Sequence, residues 1–405
     1  MTLPNEARRI CLSHEPQVAA EIFQRRGIDL HGLETLLYSV GNERERSRTE
    51  TVELQDAWGR PTEMTLYVPE LQGDQSLGVM VGLHGVGGSG IELAPYLRRL
   101  ADACGAVLIC PTAQLPVDGK SNFDLAGIFG SRFRQARWTP DPGDFPVRAL
   151  RWARENLAVD VDRCALVGTS MGGIAAWSLA SRHWAGLSMA ASINGAPSIW
   201  ELFGPDRAMR ELLPNLLNLP FVVVHGSRDK QIPIGLDKEA VTQLGRLGHR
   251  GVTLVEVPDG EHKLSTMQLL PGNPQFDAVV QGYRASRRES WPSHVLHRAR
   301  ETESGRAHWI AMDGITNGET GSVEAWVRNR SHLDIHAVHA SRIRLFLHDR
   351  ILNSGRVSIT VNGESRRVSF RLSMEDAIST YVESGADPGL MAHMVLDVDI
   401  AETLE

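Results

Sequence analysis

The chain contains no long apolar run: nowhere in its 405 residues do about 18 apolar side chains follow one another, so no segment is expected to span a bilayer. It has no excess of basic charge. Forty-two Lys and Arg stand against 49 Asp and Glu, a net charge of −7, which argues against a nucleic-acid partner. Cysteine is scarce. Cys11, Cys104, Cys110 and Cys164 follow no C-x-x-C spacing, and Cys110 and Cys164 lie in apolar, strand-like runs, so buried free thiols in a reducing compartment are the expectation. The opening stretch, Met1 to Arg9, lacks the basic-then-apolar pattern of a leader. A cytoplasmic protein is expected, or one whose leader lies outside this sequence.

What is present is strand–helix alternation. Residues 1–48 carry apolar side chains at helical spacing (Val18, Ile22, Phe23; Leu30, Leu33, Leu36, Leu37) and read as an N-terminal helical extension packed on the main domain. Residues 50–69 read as an edge hairpin. From residue 77 to 285, short apolar strands (Leu77 to Leu83, Ala106 to Pro111, the run ending at Val167, Leu187 to Ile193, Phe221 to Gly226, Val252 to Val257) are separated by helical segments. That pattern predicts an α/β domain over 49–286 with a mostly parallel sheet covered on both faces. A charged linker over 287–306 leads to an alternating, β-rich accessory domain over 307–405, sandwich-like, with Asn362-Gly363 as a hairpin turn. Its histidines (His308, His332, His336, His339, His348) read as scattered surface residues. No metal site and no cofactor is expected.

Residues 113–146 form a long insertion after a parallel strand, with Phe123, Phe129, Phe133 and Trp138. It lines a substrate pocket or fills a satellite core.

The chemistry sits at strand ends. Gly168-Thr169-Ser170-Met171-Gly172 matches G-x-S-x-G between a buried strand and a helix. A serine on that sharp turn has a strained backbone and needs very small residues two before and two after it. The turn raises its hydroxyl and directs the Met171 N–H and the helix N-terminus at a developing oxyanion. Gly85, Gly87 and Gly90 match G-x-G-x-x-G, yet the next strand ends Cys110-Pro111-Thr112 with no carboxylate to hold a ribose. The loop reads instead as the second half of an oxyanion hole, offering the N–H of Val86 or Gly87, with His84 bracing it.

A serine nucleophile needs a base and a group to orient that base. Asp229 follows Phe221 to Gly226, and His262 follows Val252 to Val257, so Ser170, Asp229 and His262 come in the order nucleophile, acid, histidine, each past a strand end. Asp259 and Glu261 adjoin His262 on its own loop, Asp124 and Asp144 precede the serine, and His225 reads as a packed structural residue.

On these residues the chain resembles α/β-hydrolase serine esterases. The matching stretches are His84-Gly85-Val86-Gly87-Gly88, Asp162-Arg163 before the nucleophile's strand, Gly168 to Gly173, His225-Gly226-Ser227-Arg228-Asp229 with Pro233, and Gly260-Glu261-His262, all within about 50–285. They are similar to carboxylesterases, dienelactone-hydrolase-like enzymes, and polyhydroxybutyrate-depolymerase or feruloyl-esterase types. The resemblance implies the α/β-hydrolase fold and a metal-free serine hydrolase cleaving a small-molecule or polymer-attached carboxylic ester, with a β-rich tail. A prolyl-oligopeptidase-like peptidase is the alternative enzyme, although no propeller repeat precedes the domain. A catalytically inert carbohydrate- or surface-binding protein is the alternative from another class. Oligomeric state stays open, a homo-oligomer included.

Overall fold

In the computed structural model, residues 2–55, 59–70, 76–114, 138, 144–302 and 305–400 are described. Phe123, Asp124, Phe129 and Phe133 of the insertion lie outside them. Eight strands build one sheet: β1 (Arg48–Gln55), β2 (Pro61–Val68), β3 (Leu77–Leu83), β4 (Ala106–Pro111), β5 (Val159–Thr169), β6 (Met189–Ile193), β7 (Phe221–Gly226) and β8 (Val252–Val257). Their order is β1-β2-β4-β3-β5-β6-β7-β8. The hairpin β1–β2 joins β4 antiparallel, and every pair from β4 to β8 is parallel.

The apolar runs follow from that position. A parallel strand with helices on both faces has no solvent side, so β3, β4 and β7 are buried along their whole length. Alternate residues then feed two separate cores. Val79, Val81, Val107 and Ile109 pack with Leu150, Trp177 and Leu244 from the helices Phe145–Asn156, Met171–His183 and Ile234–Arg246. Met80 and Leu108 pack with Leu97, Leu100, Val279 and Tyr283 from Gly90–Cys104 and Pro274–Ala285. All four cysteines are buried free thiols, and burial pushes those of Cys11 and Cys104 up to about 12. Among the described residues no helix is long and apolar enough to cross a membrane.

The C-terminal part has two sheets, one of four strands and one of five. Their inward residues, among them Val323, Ala325, Ile335, Ile343, Leu345 and Ile359, belong to the same apolar cluster as the first face of the large sheet. Two expectations are corrected here. Residues His294–Ala299, placed in the linker, form the strand at one edge of the five-stranded sheet, paired with Gly321–Asn329. The tail is also not all β: Met374–Glu383 is a helix, N-capped by Ser373, whose hydroxyl accepts from the Asp376 N–H at 3.1 Å. Ala377, Ile378 and Tyr381 of that helix share a core with Ala7, Ile10, Phe23 and Leu33 of the N-terminal helices Leu3–Ser13, Pro16–Arg25 and Leu30–Ser39.

A further correction concerns the histidines. His308 and His348 are buried, not on the surface. His348 and His393 stack with ring centroids 3.8 Å apart, and both donate from Nε2 to Glu34 Oε1, at 2.7 and 2.8 Å. Burial pushes the Glu34 carboxyl up, but these two donors outweigh it and hold the group below the usual range. Glu34 thus ties the N-terminal helices to the C-terminal sheets. Glu34→Ala strands two buried donors, and urea titration should show a loss of about 1–3 kcal/mol at pH 7. Because the folded-state carboxyl is depressed, the contribution is full above the unfolded value and is lost as pH falls through the folded one. The deficit of the variant should therefore shrink in acid.

Candidate active site

The site grows from the end of β5. Ser170 has φ 55° and ψ −118°, a conformation that side chains other than glycine avoid, so the surrounding structure holds it there. Its flanking glycines are obligatory. A Cβ on Gly168 would lie 1.8 Å from the Gly172 carbonyl oxygen, and one on Gly172 would lie 2.0 Å from the Leu83 carbonyl oxygen. The Ser170 N–H donates to the Ile193 carbonyl at 2.9 Å, which anchors the turn to β6.

Ser170 Oγ lies 2.7 Å from His262 Nε2, and His262 Nδ1 lies 2.6 Å from Asp229 Oδ2. A carboxylate only accepts, so His262 carries its proton on Nδ1 and presents a bare Nε2 to the serine hydroxyl. The three residues that the sequence placed at three strand ends are therefore one continuous hydrogen-bonded chain. The acid and histidine loops interlock at glycine: a Cβ on Gly226 would stand 2.3 Å from the Gly260 carbonyl oxygen. Asp229 is fixed at its other oxygen too, where Oδ1 accepts from the N–H groups of Gln231 and Ile232, both at 2.9 Å. Burial raises the Asp229 carboxyl, but bonds from His225, His262 and the Ile232 N–H outweigh it and hold it below the usual carboxylate range.

The glycine-rich loop faces Ser170. A Cβ on Gly85 would come within 3.2 Å of Ser170 Cβ. Gly88 N–H donates to the Gly85 carbonyl at 3.2 Å, closing a turn whose middle residues are the half-exposed Val86 and Gly87, with φ +71°. His84 holds this loop: Nδ1 donates to the Gly85 carbonyl at 2.7 Å and Nε2 accepts from the Ala113 N–H at 3.0 Å. Burial lowers its affinity for a second proton. Trp138, the one insertion aromatic among the described residues, is buried against His84 and donates from Nε1 to the His84 carbonyl at 2.9 Å. Its part is to brace the loop. Met171 opens the helix Met171–His183, at the helix end that carries free N–H groups.

The rival acids lie elsewhere. Asp144 pairs with Arg182 and His183, and the exposed Asp259 pairs with Arg228 at 2.7 Å. Two contributors were not read from the sequence. Asn194, at the end of β6, donates to the Glu261 carbonyl at 3.0 Å and accepts from the Gly226 N–H at 2.9 Å, spanning the histidine and acid loops. His225, a packed residue as its sequence position suggests, also lies 3.5 Å from Asp229 Oδ2 through Nε2.

Among the described residues one group, Glu34, His348 and His393, offers three metal-type donors within 4.8 Å of one another. It belongs to the junction between the N-terminal helices and the C-terminal sheets. Its oxygen-to-nitrogen separations of 2.7 and 2.8 Å are hydrogen-bond lengths. Ligands around a tetrahedral zinc stand roughly 3.3 Å apart, and the arrangement is that of a carboxylate receiving two imidazole protons.

No family model matches the chain, and no curated protein does. Among solved structures the chain is similar to a thermostable esterase (18% identity over 59% of this chain and 63% of that one, TM-score 0.44). It is likewise similar to an S-formylglutathione hydrolase from Agrobacterium tumefaciens (18%, 60% and 96%, TM-score 0.44) and to a puromycin-hydrolyzing peptidase from Mycobacterium tuberculosis (17%, 55% and 37%, TM-score 0.41). The chain thus spans less than two thirds of the esterase and little more than a third of the peptidase. By its own strand order, parallel core and serine turn, the part built on the eight-stranded sheet has the α/β-hydrolase fold.

Proposed function

We propose that the chain is a serine hydrolase of carboxylic esters, working through an acyl-enzyme on Ser170. The observation that carries this reading is the unbroken chain Ser170–His262–Asp229, at 2.7 and 2.6 Å, on a strained turn beside a glycine-rich loop. Ser170 Oγ attacks the ester carbonyl carbon, and its proton passes to His262 Nε2. The N–H of Met171 and that of Val86 or Gly87 receive the negative oxygen; one such donor is worth about a hundred- to a thousand-fold in rate. His262 then gives its proton to the departing alkoxide, leaving the acyl group on Ser170. Water attacks the acyl carbon, His262 takes the water's proton, and the acid leaves as the serine recovers its own. Asp229 stabilises the imidazolium in both halves.

The test is a chromogenic ester series from acetyl to decanoyl, with a fluorophosphonate probe alongside. Turnover with a burst of one alcohol per protein, and labelling at Ser170, are expected. Turnover of amides but not esters would replace this reading with a serine peptidase. Neither turnover nor labelling would replace it with an inert binding protein. Whether the ester is attached to a polymer is decided separately, by comparing soluble and polymer-borne esters.

A further inference from the structure

His225 is the penultimate residue of β7 and is fully buried. Nδ1 lies 2.7 Å from Asp237 Oδ2, and Nε2 lies 2.9 Å from the Ile232 carbonyl oxygen and 3.5 Å from Asp229 Oδ2. Both ring nitrogens therefore face oxygen. A neutral imidazole has one N–H and one bare nitrogen, and a bare nitrogen against a carboxylate is repulsive. Two protons on the ring would satisfy both sides, with Asp237, in the first turn of the helix Ile234–Arg246, as the counter-charge, although complete burial raises the Asp237 carboxyl. Asp237 is fixed in turn by Trp177 of the nucleophile's own helix, whose Nε1 donates to Oδ1 at 3.0 Å. The contacts thus run in a circle, from the helix after Ser170 through Trp177, Asp237, His225, Asp229 and His262 back to Ser170.

We propose that His225 is a positioning residue for this site: a buried imidazolium, held by Asp237, that stands behind Asp229, keeps its carboxylate ionised and aims Oδ2 at His262. This inference rests on the hydrolase reading above. Burial opposes the charge on His225, but its contact with Asp229 and its bond to Asp237 outweigh it and push the ring up to about 9. Burial raises the Asp229 carboxyl, and the His225 contact comes first among those that outweigh it. The charged groups facing His225 are Asp229 from the loop after β7 and Asp237 from the following helix; Trp177 faces the pair without charge.

The sign of the effect follows. Without the cation, the coupled His262–Asp229 pair takes up a proton more readily, so the proton that ends base catalysis arrives at higher pH. The experiment compares wild type, His225→Gln and Asp237→Asn on an acetyl ester, with each variant's melting temperature recorded. In His225→Gln, kcat should fall about ten-fold with KM within about two-fold, and the acid-side loss of kcat/KM should move up by about one pH unit. Asp237→Asn, which keeps the imidazole but removes its counter-charge, should shift the same limb in the same direction. Proton NMR supplies a readout that needs no turnover. The downfield Nδ1–H signal of the His262–Asp229 bond should move to its acid position about one unit higher in pH in the variants. Nitrogen-15-labelled wild type should show two ring protons on His225 at pH 7. A single proton on that ring overturns the proposal, as do a pH profile and a downfield signal that superimpose on those of wild type. An inactive wild type with the expected NMR behaviour would count against the ester reading and in favour of the role of His225.

Discussion

Ser170→Ala will lower ester turnover on the order of a million-fold while leaving the melting temperature within a few degrees of wild type. The side chain lost is small and partly exposed, so little packing goes with it. What goes is the only atom that can carry the acyl group in the proposed cycle. His262 and Asp229 remain, but they have no bound nucleophile to activate, and removing one member of such a unit costs about as much as removing all of it. The residue of activity, roughly a thousand-fold or more above the reaction in water, should come from the N–H groups of Met171 and of Val86 or Gly87. KM should change little, because Ser170 acts on the reacting carbon rather than on the rest of the substrate. Steady-state kinetics on freshly repurified variant, checked for loss of fluorophosphonate labelling, measures both. A decrease of less than about a hundred-fold would place the nucleophile elsewhere.

Asp387→Ala will be among the most destabilising single substitutions in the chain. The Asp387 side chain is completely buried. It accepts from Arg288 Nη1 and Nη2 at 2.6 and 2.7 Å, Arg154 Nη1 at 3.1 Å and the Gly389 N–H at 3.0 Å. Arg288 turns at the same time to Asp162, at 2.9 Å. Asp162 belongs to β5, Arg154 to the helix before it, Arg288 to the connection between the two parts of the chain, and Asp387 to the C-terminal part. Deleting this carboxylate leaves the Arg154 and Arg288 guanidinium groups out of water with Asp162, on Arg288, left to balance them, a change that costs about 3–5 kcal/mol. Urea unfolding at pH 7 should show that loss. Burial raises the Asp387 carboxyl, but Arg154 and Arg288 outweigh it and bring it down to about 2. A depressed carboxyl contributes fully above its unfolded value near 4 and stops contributing as pH falls through about 2, so wild type and variant should converge only in strong acid. A variant as stable as wild type at pH 7 would show that these charges are solvated after all.

The legible parts of this protein are those whose chemistry is local. Ser170 could be found because its turn needs Gly168 and Gly172, and Asp229 and His262 because each follows an apolar run. The sheet was legible for the same reason, since strands buried on both faces are written as uninterrupted apolar runs. What stayed hidden depends on partners distant in sequence. His348 is buried because Glu34, 314 positions away, receives its proton, and no local pattern marks that. The strand His294–Ala299 sits in charged surroundings that masked its alternation. The helix Met374–Glu383 did carry a signal, Ser373 three residues before Asp376, which strand-like patterning on both sides concealed. Asn194 reads as an ordinary turn residue until the loops it spans are in place.

The core shared by the N-terminal helices and Met374–Glu383 sets an order on synthesis. A ribosome delivers Ala7, Ile10, Phe23 and Leu33 more than 300 residues before Ile378 and Tyr381, the side chains that cover them. Loop closure over such a separation is slow, and surface left open meanwhile invites association between chains. These helices are thus sealed late, only once Met374–Glu383 has been made. A growing chain halted before residue 374 carries an uncovered apolar face on the helices Leu3–Ser13, Pro16–Arg25 and Leu30–Ser39, and exposed apolar surface of that kind favours association between chains.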